Sequence, residues 1–211
     1  MPTPPVRSLP SRKPRRAAAE ADTRATLTPE TWIEAATEVL VDQGIDHVRV
    51  DVLATQLGVT RGSFYWHFRD RDALLAALLA RWEAKNTGNL VARTLAFAAT
   101  INEAILNVFD AWLEAAVFDS RFDFAVRTWA LSDAAVRAKV QATDALRMDA
   151  LAAMFARFGY SPIAAETRAR ALYYTQIGYI SMLVAETVEV RLAEHDTAWL
   201  EWIGRDKCTA R

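Results

Sequence analysis

Cysteine is nearly absent from this sequence. The single Cys208 has no internal partner, so no disulfide holds the fold, and a reducing, cytoplasmic setting is expected. Glycine and proline are scarce, seven of each in 211 residues, and five of the prolines fall within the first 14. The remainder has few helix breakers and much Ala, Leu, Glu and Arg, which predicts an all-α protein. No apolar run reaches the roughly 18 residues of a membrane span, so no membrane contact is expected. The basic N-terminus is not followed by an apolar segment, so no secretory signal is expected either. A general excess of positive charge is also missing. The net charge is −1, so any contact with nucleic acid must be made by a local patch. There is no glycine-rich phosphate loop, no metal-ligand cluster and no Cys/His pair, and His47, His67 and His195 are far apart in sequence. No cofactor and no metal are expected, and an enzyme is the disfavoured class.

What is present divides into segments. Residues 1–26 are rich in Pro, Ala and Arg and nearly devoid of bulky hydrophobes, so they are expected to be a disordered arm. Six cations (Arg7, Arg12, Lys13, Arg15, Arg16, Arg24) against Glu20 and Asp22 give the arm a net +4. It is either a solvated tail or an extension that adds phosphate or minor-groove contacts. A first helix is predicted from Thr28-Pro29-Glu30, with Thr28 as cap and Pro29 in the first turn. Trp32, Ile33, Ala36, Val39 and Leu40 recur on its inner face, and Gly44 is expected to end it as a left-handed cap. A second helix, about residues 50–57, turns Val50, Leu53, Ala54 and Leu57 inward. Gly58-Val59-Thr60 then forms a turn, with Thr60 capping a third helix. Helix, glycine-containing turn and second helix make up the helix-turn-helix arrangement.

The order Gly44, Leu53-Ala54, Leu57-Gly58-Val59-Thr60, Gly62-Ser63-Phe64-Tyr65-Trp66-His67-Phe68, Asp70-Arg71-Asp72-Ala73-Leu74-Leu75 resembles the N-terminal DNA-binding domain of the TetR/AcrR family of bacterial transcriptional regulators. The resemblance covers about residues 28–75. One departure is Val48-Arg49-Val50, where the family often opens its second helix with Ser or Thr. The resemblance implies a regulator that binds a double-stranded DNA operator as a homodimer, most often a repressor, and responds to a small-molecule effector. A helical interaction adaptor of the same fold, without ligand response, is the alternative.

The candidate DNA-binding residues are Arg49, Thr60, Arg61, Gly62, Ser63, Tyr65, Trp66, His67 and Arg71. Thr60 and Ser63 offer hydroxyls, and Arg49 can reach a phosphate. Arg61 is the candidate for a base edge, with guanine the natural partner of its fork. Gly62 permits close approach, and Trp66 suits a thymine methyl or a sugar. Phe64 and Phe68, four apart, share a core face. In the family, the residues matching Tyr65 and His67 contact phosphate. Across residues 27–75 four Arg stand against eight acids, a net of −4, which gives the basic arm a reason to take part.

A long helix is predicted from Asp70 to about Val91, carrying Leu74, Leu75, Leu78, Leu79 and Trp82; in the resemblance it is the lever between effector and DNA. Further helices follow over about 96–117, 122–131, 134–158, 162–185 and 187–203. Aromatic and Met residues concentrate on the middle ones. Phe109, Trp112, Arg127, Trp129, Met148, Tyr173 and Tyr174 are candidates to line an effector pocket, with Arg127, Asp144, Tyr173, Tyr174 and Gln176 as possible polar ends. Gly178 interrupts a strong helix pattern at a cost of about 1 kcal/mol, which close helix–helix approach would explain. With the four-helix interface that the resemblance implies, Gly178, Tyr179, Met182, Trp199 and Trp202 are dimer candidates. The expected organisation is an arm (1–26), a DNA-binding domain (27–75), a ligand-binding and dimerisation domain (76–204) and a tail (205–211).

Overall fold

The computed structural model describes residues 27–184 together with 187, 189 and 190. The arm, the last predicted helix with Trp199 and Trp202, His195, Cys208 and the tail lie outside the described residues. Every element among the described residues is helical: α1 Pro29–Gln43, α2 Val50–Gln56, α3 Arg61–Phe64, α4 Arg71–Trp82, α5 Asn89–Thr94, α6 Ile101–Leu113, α7 Ser120–Ser132, α8 Ala134–Arg157 and α9 Pro162–Ser181.

Most helix starts are written locally. Thr28 and Thr31 form a reciprocal capping box on either side of Pro29 and Glu30. Thr100, Asp119, Asp133 and Ser161 each accept a backbone N–H in the first turn of α6, α7, α8 and α9. Gly44 has the positive φ expected of it, 88°, but its ψ of 172° is extended, so it is not a left-handed helical cap. The chain passes from it into a 3-10 turn at Ile45–His47, and His47 Nδ1 hydrogen-bonds the Gln43 carbonyl at 2.9 Å. At Gly58 the φ of 66° makes the turn between α2 and α3.

The predicted helix beyond Asp70 exists, but its winding changes. α4 gives way at Glu83–Gly88 to a π-helical turn, and the path resumes as α5 to Thr94. Three boundaries also move. α6 begins at Ile101, since Leu95 to Thr100 form a loop in which Phe97 is 91% exposed. α7 begins at Ser120, capped by Asp119. α9 ends at Ser181 with Met182 as its cap, short of the predicted end near residue 185, so Leu183 sits past the helix at φ 52° and is exposed.

Two apolar cores result. The first joins Trp32, Leu40, Leu53, Phe64, Leu74 and Leu78 to Phe122, Val126 and Trp129 on α7. It does not stop at residue 75, because α1 packs against both α4 and α7. The second joins Leu90, Ile105, Phe109, Leu151, Phe155 and Leu172. The helical path from α4 through the π turn to α5 is one covalent link between them; α8, with Val136 and Val140 in the first core and Leu151 and Phe155 in the second, is another.

Candidate nucleic-acid interface

The reading segment is short. α3 makes one α turn, and the chain continues through Tyr65, Trp66 and His67 as a tightened turn closed by Phe68 N–H to Phe64 O at 3.0 Å. The aromatics divide by burial. Phe64 is fully buried and meets Trp32 edge-on at 5.3 Å, while Phe68 is buried and stacks on Phe64 at 5.5 Å. That anchor fixes the opposite face. Tyr65 is 55% exposed and Trp66 85% exposed, and His67 is half-buried between them and Phe68 in sequence. A tryptophan this exposed on a well-packed element is unusual, and it stands beside exposed Arg61 and Gly62. Arg61 makes no hydrogen bond or ion pair among the described residues, so its guanidinium fork is available. Gly62 does not have a positive φ, and a Cβ there would make only an ordinary contact, 3.7 Å from Thr60 Oγ1. The fold therefore leaves the choice of glycine at 62 unexplained, and close approach by another molecule would explain it.

Four of the predicted DNA ligands are placed differently from expectation. Thr60 occupies the cap position, but its hydroxyl makes no capping bond; Ser63 N–H bonds the Thr60 carbonyl instead. Ser63 is buried, 4% exposed, because it shares the inward side of α3 with Phe64. Arg49 is exposed and pairs with Asp51 at 2.7 Å, so a phosphate would compete with that carboxylate. Arg71 does not present its charge outward. Its Nε donates to the Val48 carbonyl at 2.6 Å and its Nη2 to the Ile45 carbonyl at 2.9 Å, which clamps the loop after α1 to the start of α4. Asp70 caps α4 through Ala73 N–H; that bond first, then Arg69, holds its carboxyl below the ordinary carboxylate range.

Behind the interface lies a buried charged cluster that helical periodicity alone does not single out. Asp123 and Arg147 are both fully buried and pair at 3.0 Å. Asp123 also accepts from Trp82 Nε1 at 2.9 Å and Arg127 Nε at 2.7 Å. Arg127 continues to Asp144 at 2.6 Å and to the Tyr173 hydroxyl at 2.9 Å, which donates in turn to Asp144 at 2.6 Å. Burial pushes the Asp123 carboxyl up, but Arg147 and Arg127 outweigh it and hold it below the usual range. Burial raises the Tyr173 phenol, against the pull of the two guanidinium groups. The Arg147 guanidinium lies over the rings of Trp82 and Phe118 at 5.1 and 5.4 Å. The signal that could have found Arg147 is its spacing: Val140, Thr143, Arg147, Leu151 and Met154 recur at helical intervals, so an arginine stands on a core stripe.

The seven candidate effector residues do not share one environment. Phe109, Trp112 and Tyr173 belong to the second core, and Met148 packs at its edge. Arg127 is committed to the charged cluster. Trp129 belongs to the first core and lines a groove of about 370 Å³ with Leu40, Ile45 and Phe124. Tyr174 points outward, 55% exposed, because it follows inward Leu172 and Tyr173 on α9. On the same helix Gly178 has no atom within 4 Å of where a Cβ would stand, so no neighbour among the described residues explains it. Tyr179 is half-buried there and Met182 exposed. Among the described residues no group of side chains could hold a metal, and no helix is long and apolar enough to cross a membrane.

Residues 33–78 match the family model described as bacterial regulatory proteins, tetR family. The helix-turn-helix segment is of the TetR family. It is 44% identical over 66 residues to the HTH-type transcriptional regulator SrpR of Pseudomonas putida, covering 31% of this chain and 29% of SrpR. It is 42% identical over 67 residues to the class A tetracycline repressor protein from transposon 1721 of Escherichia coli, covering 32% and 31%. The chain thus matches about 30% of the length of these curated relatives. Over the whole fold it resembles a Mesorhizobium loti protein assigned to the TetR family, with a TM-score of 0.64 at 14% identity, covering 90% of this chain and 97% of that one. A transcriptional regulator of Rhodococcus sp. Rha1 gives 0.59 at 22% identity, covering 84% and 91%. These likenesses give residues 33–78 a TetR-type DNA-binding helix-turn-helix, and in the body they speak for the fold alone.

Proposed function

We propose that this chain is a TetR-family regulator, a cytoplasmic homodimer that represses transcription from a near-palindromic operator and is released by a small apolar or amphipathic effector. The observation that carries the DNA-binding part is the outward set Arg61, Tyr65, Trp66 and His67, braced from behind by buried Phe64 and Phe68. In this reading Arg61 takes a base edge, Tyr65 and His67 take phosphates, and Trp66 packs on a sugar or a thymine methyl. Thr60 and Gly62 allow the backbone to approach, and Arg49 exchanges Asp51 for a phosphate. Residues 27–75 form the reading head and 76–204 the effector and dimer body. Support for the dimer comes from α9, where Tyr174, Gly178 and Met182 leave an apolar, small-residue face uncovered among the described residues. Two-fold pairing through it would set two heads about 34–36 Å apart on DNA. Support for an effector site is the second core, where Phe109, Trp112 and Met148 give apolar surface close in the fold to the polar end at Tyr173.

Selection from a random DNA pool with the full chain tests this reading. A paired half-site motif is expected. Arg61→Ala should weaken binding to that motif by about 1–3 kcal/mol and relax the preference at one position per half-site. Recovery of no motif would overturn the reading in favour of an interaction adaptor.

A further inference from the structure

α4 leaves the reading head, where Leu74, Leu75 and Leu78 sit in the first core, and α5 enters the second core at Leu90. Between them the winding is π-helical over Glu83–Gly88. Such a turn holds extra chain relative to α winding. Each residue of register is worth about 100° of rotation and 1.5 Å of rise. Whatever fixes this turn therefore fixes the angle at which the head leaves the body.

The fastening is made by buried polar side chains. Asn86, fully buried, acts as a peptide mimic. Its Nδ2 donates to the Asp119 carbonyl at 3.0 Å, and its Oδ1 accepts the Asp119 N–H at 3.0 Å. Thr87, also buried, accepts from Arg147 Nε at 2.9 Å. One turn earlier Trp82 donates to Asp123 Oδ1, the same oxygen to which Arg147 donates. The π turn is thus pinned to the start of α7 and to the middle of α8. Apolar side chains of similar volume would stabilise such a junction as well or better, so the gain from a polar clasp is a single register.

We infer that the clasp of Asn86 on Asp119, with Thr87 and Trp82 on the Arg147–Asp123 pair, sets the register of the head-bearing helix and thereby the spacing between the two operator half-sites. Asn86 and Thr87 are positioning residues: they touch no DNA and act through the direction of α4. The inference rests on the proposed operator-binding dimer.

The test uses the full chain and the operator it selects, rebuilt with one or two base pairs inserted or removed between half-sites. Wild type is expected to prefer one spacing. Asn86→Ala, measured well below its unfolding temperature, should lose about tenfold of that discrimination or move the preferred spacing, while each half-site keeps its sequence preference. If Asn86→Ala does not fold, Thr87→Val, which keeps the volume and removes the acceptor, carries the same expectation. A variant that is less stable yet discriminates spacings as wild type does would overturn the inference. Failure of wild type to select paired half-sites would instead overturn the proposed function, so the two failures are distinct.

Discussion

At the scale of single residues, Asp123 shows how a charge can be buried and still kept. It is surrounded by Arg127, Arg147 and the Trp82 indole, so its ionised form is held despite desolvation. Its folded pKa lies below the unfolded value, so the stability it contributes is present above about pH 4, the unfolded carboxylate range, and is lost as pH falls through the folded pKa. Asp123→Asn removes the near counter-charge of buried Arg147 and leaves it only the Asp144 carboxylate at 4.0 Å, a loss of about 3–5 kcal/mol at neutral pH. The gap between wild type and variant in thermal unfolding should be widest near pH 7, begin to narrow as pH falls past about 4, and close only once pH has fallen through the lowered folded pKa, where wild type is also uncharged at this position. A gap independent of pH would mean that packing, not charge, sets the cost. Arg147 is legible in the sequence as an arginine on a core stripe, but its partners are not. Arg127 and Asp144 are visible as polar groups among aromatics, but a pairing across separate helices is a long-range fact that helical periodicity does not encode.

At the scale of elements, legibility follows range of interaction. Thr28, Asp70, Asp133 and Ser161 cap helices because capping is decided within four residues, and those starts are readable. The core face of α3 is readable for the same reason, from Phe64 and Phe68 four apart. The π turn is not, since it is imposed by Asp119 and Arg147 at sequence separations of 33 and 60. Arg71 is the instructive error. In an exposed, charged run it reads as a phosphate ligand, yet the carbonyls of Ile45 and Val48, in an irregular loop, take its guanidinium. Arg71→Ala should therefore lower stability by about 1.5–3 kcal/mol, the loss expected for charge-assisted hydrogen bonds. It should leave the salt dependence of DNA binding unchanged. Urea unfolding together with a binding series in salt checks both parts, and a salt slope reduced by about one with stability intact would restore the phosphate role.

At the scale of the whole molecule the question is electrostatic. Residues 27–75 carry a net charge of −4. Several of the acids are occupied: Glu34 with Arg81, Asp42 with Arg121, Asp51 with Arg49, Asp70 with Arg69, and Glu38 with the Gln56 amide. Arg81 and Arg121 come from outside the head, so counting them brings its net charge only to −2. Arg61 remains as an exposed cation free of carboxylates among the described residues. One such fork per head supplies specificity, but DNA affinity at physiological salt comes mainly from phosphate neutralisation and counter-ion release. The arm, residues 1–26, has a net +4 and joins the chain immediately before the start of the head. Deleting residues 1–25 is therefore expected to weaken operator binding and to make the plot of log K against log salt less steep, by about 0.9 for each phosphate that the arm no longer neutralises. Sequence preference at the position read by Arg61 should persist, since the arm contributes charge and not the fork. Equal affinity and equal slope in the truncated chain would show that the head, acidic as it is, binds DNA without the arm.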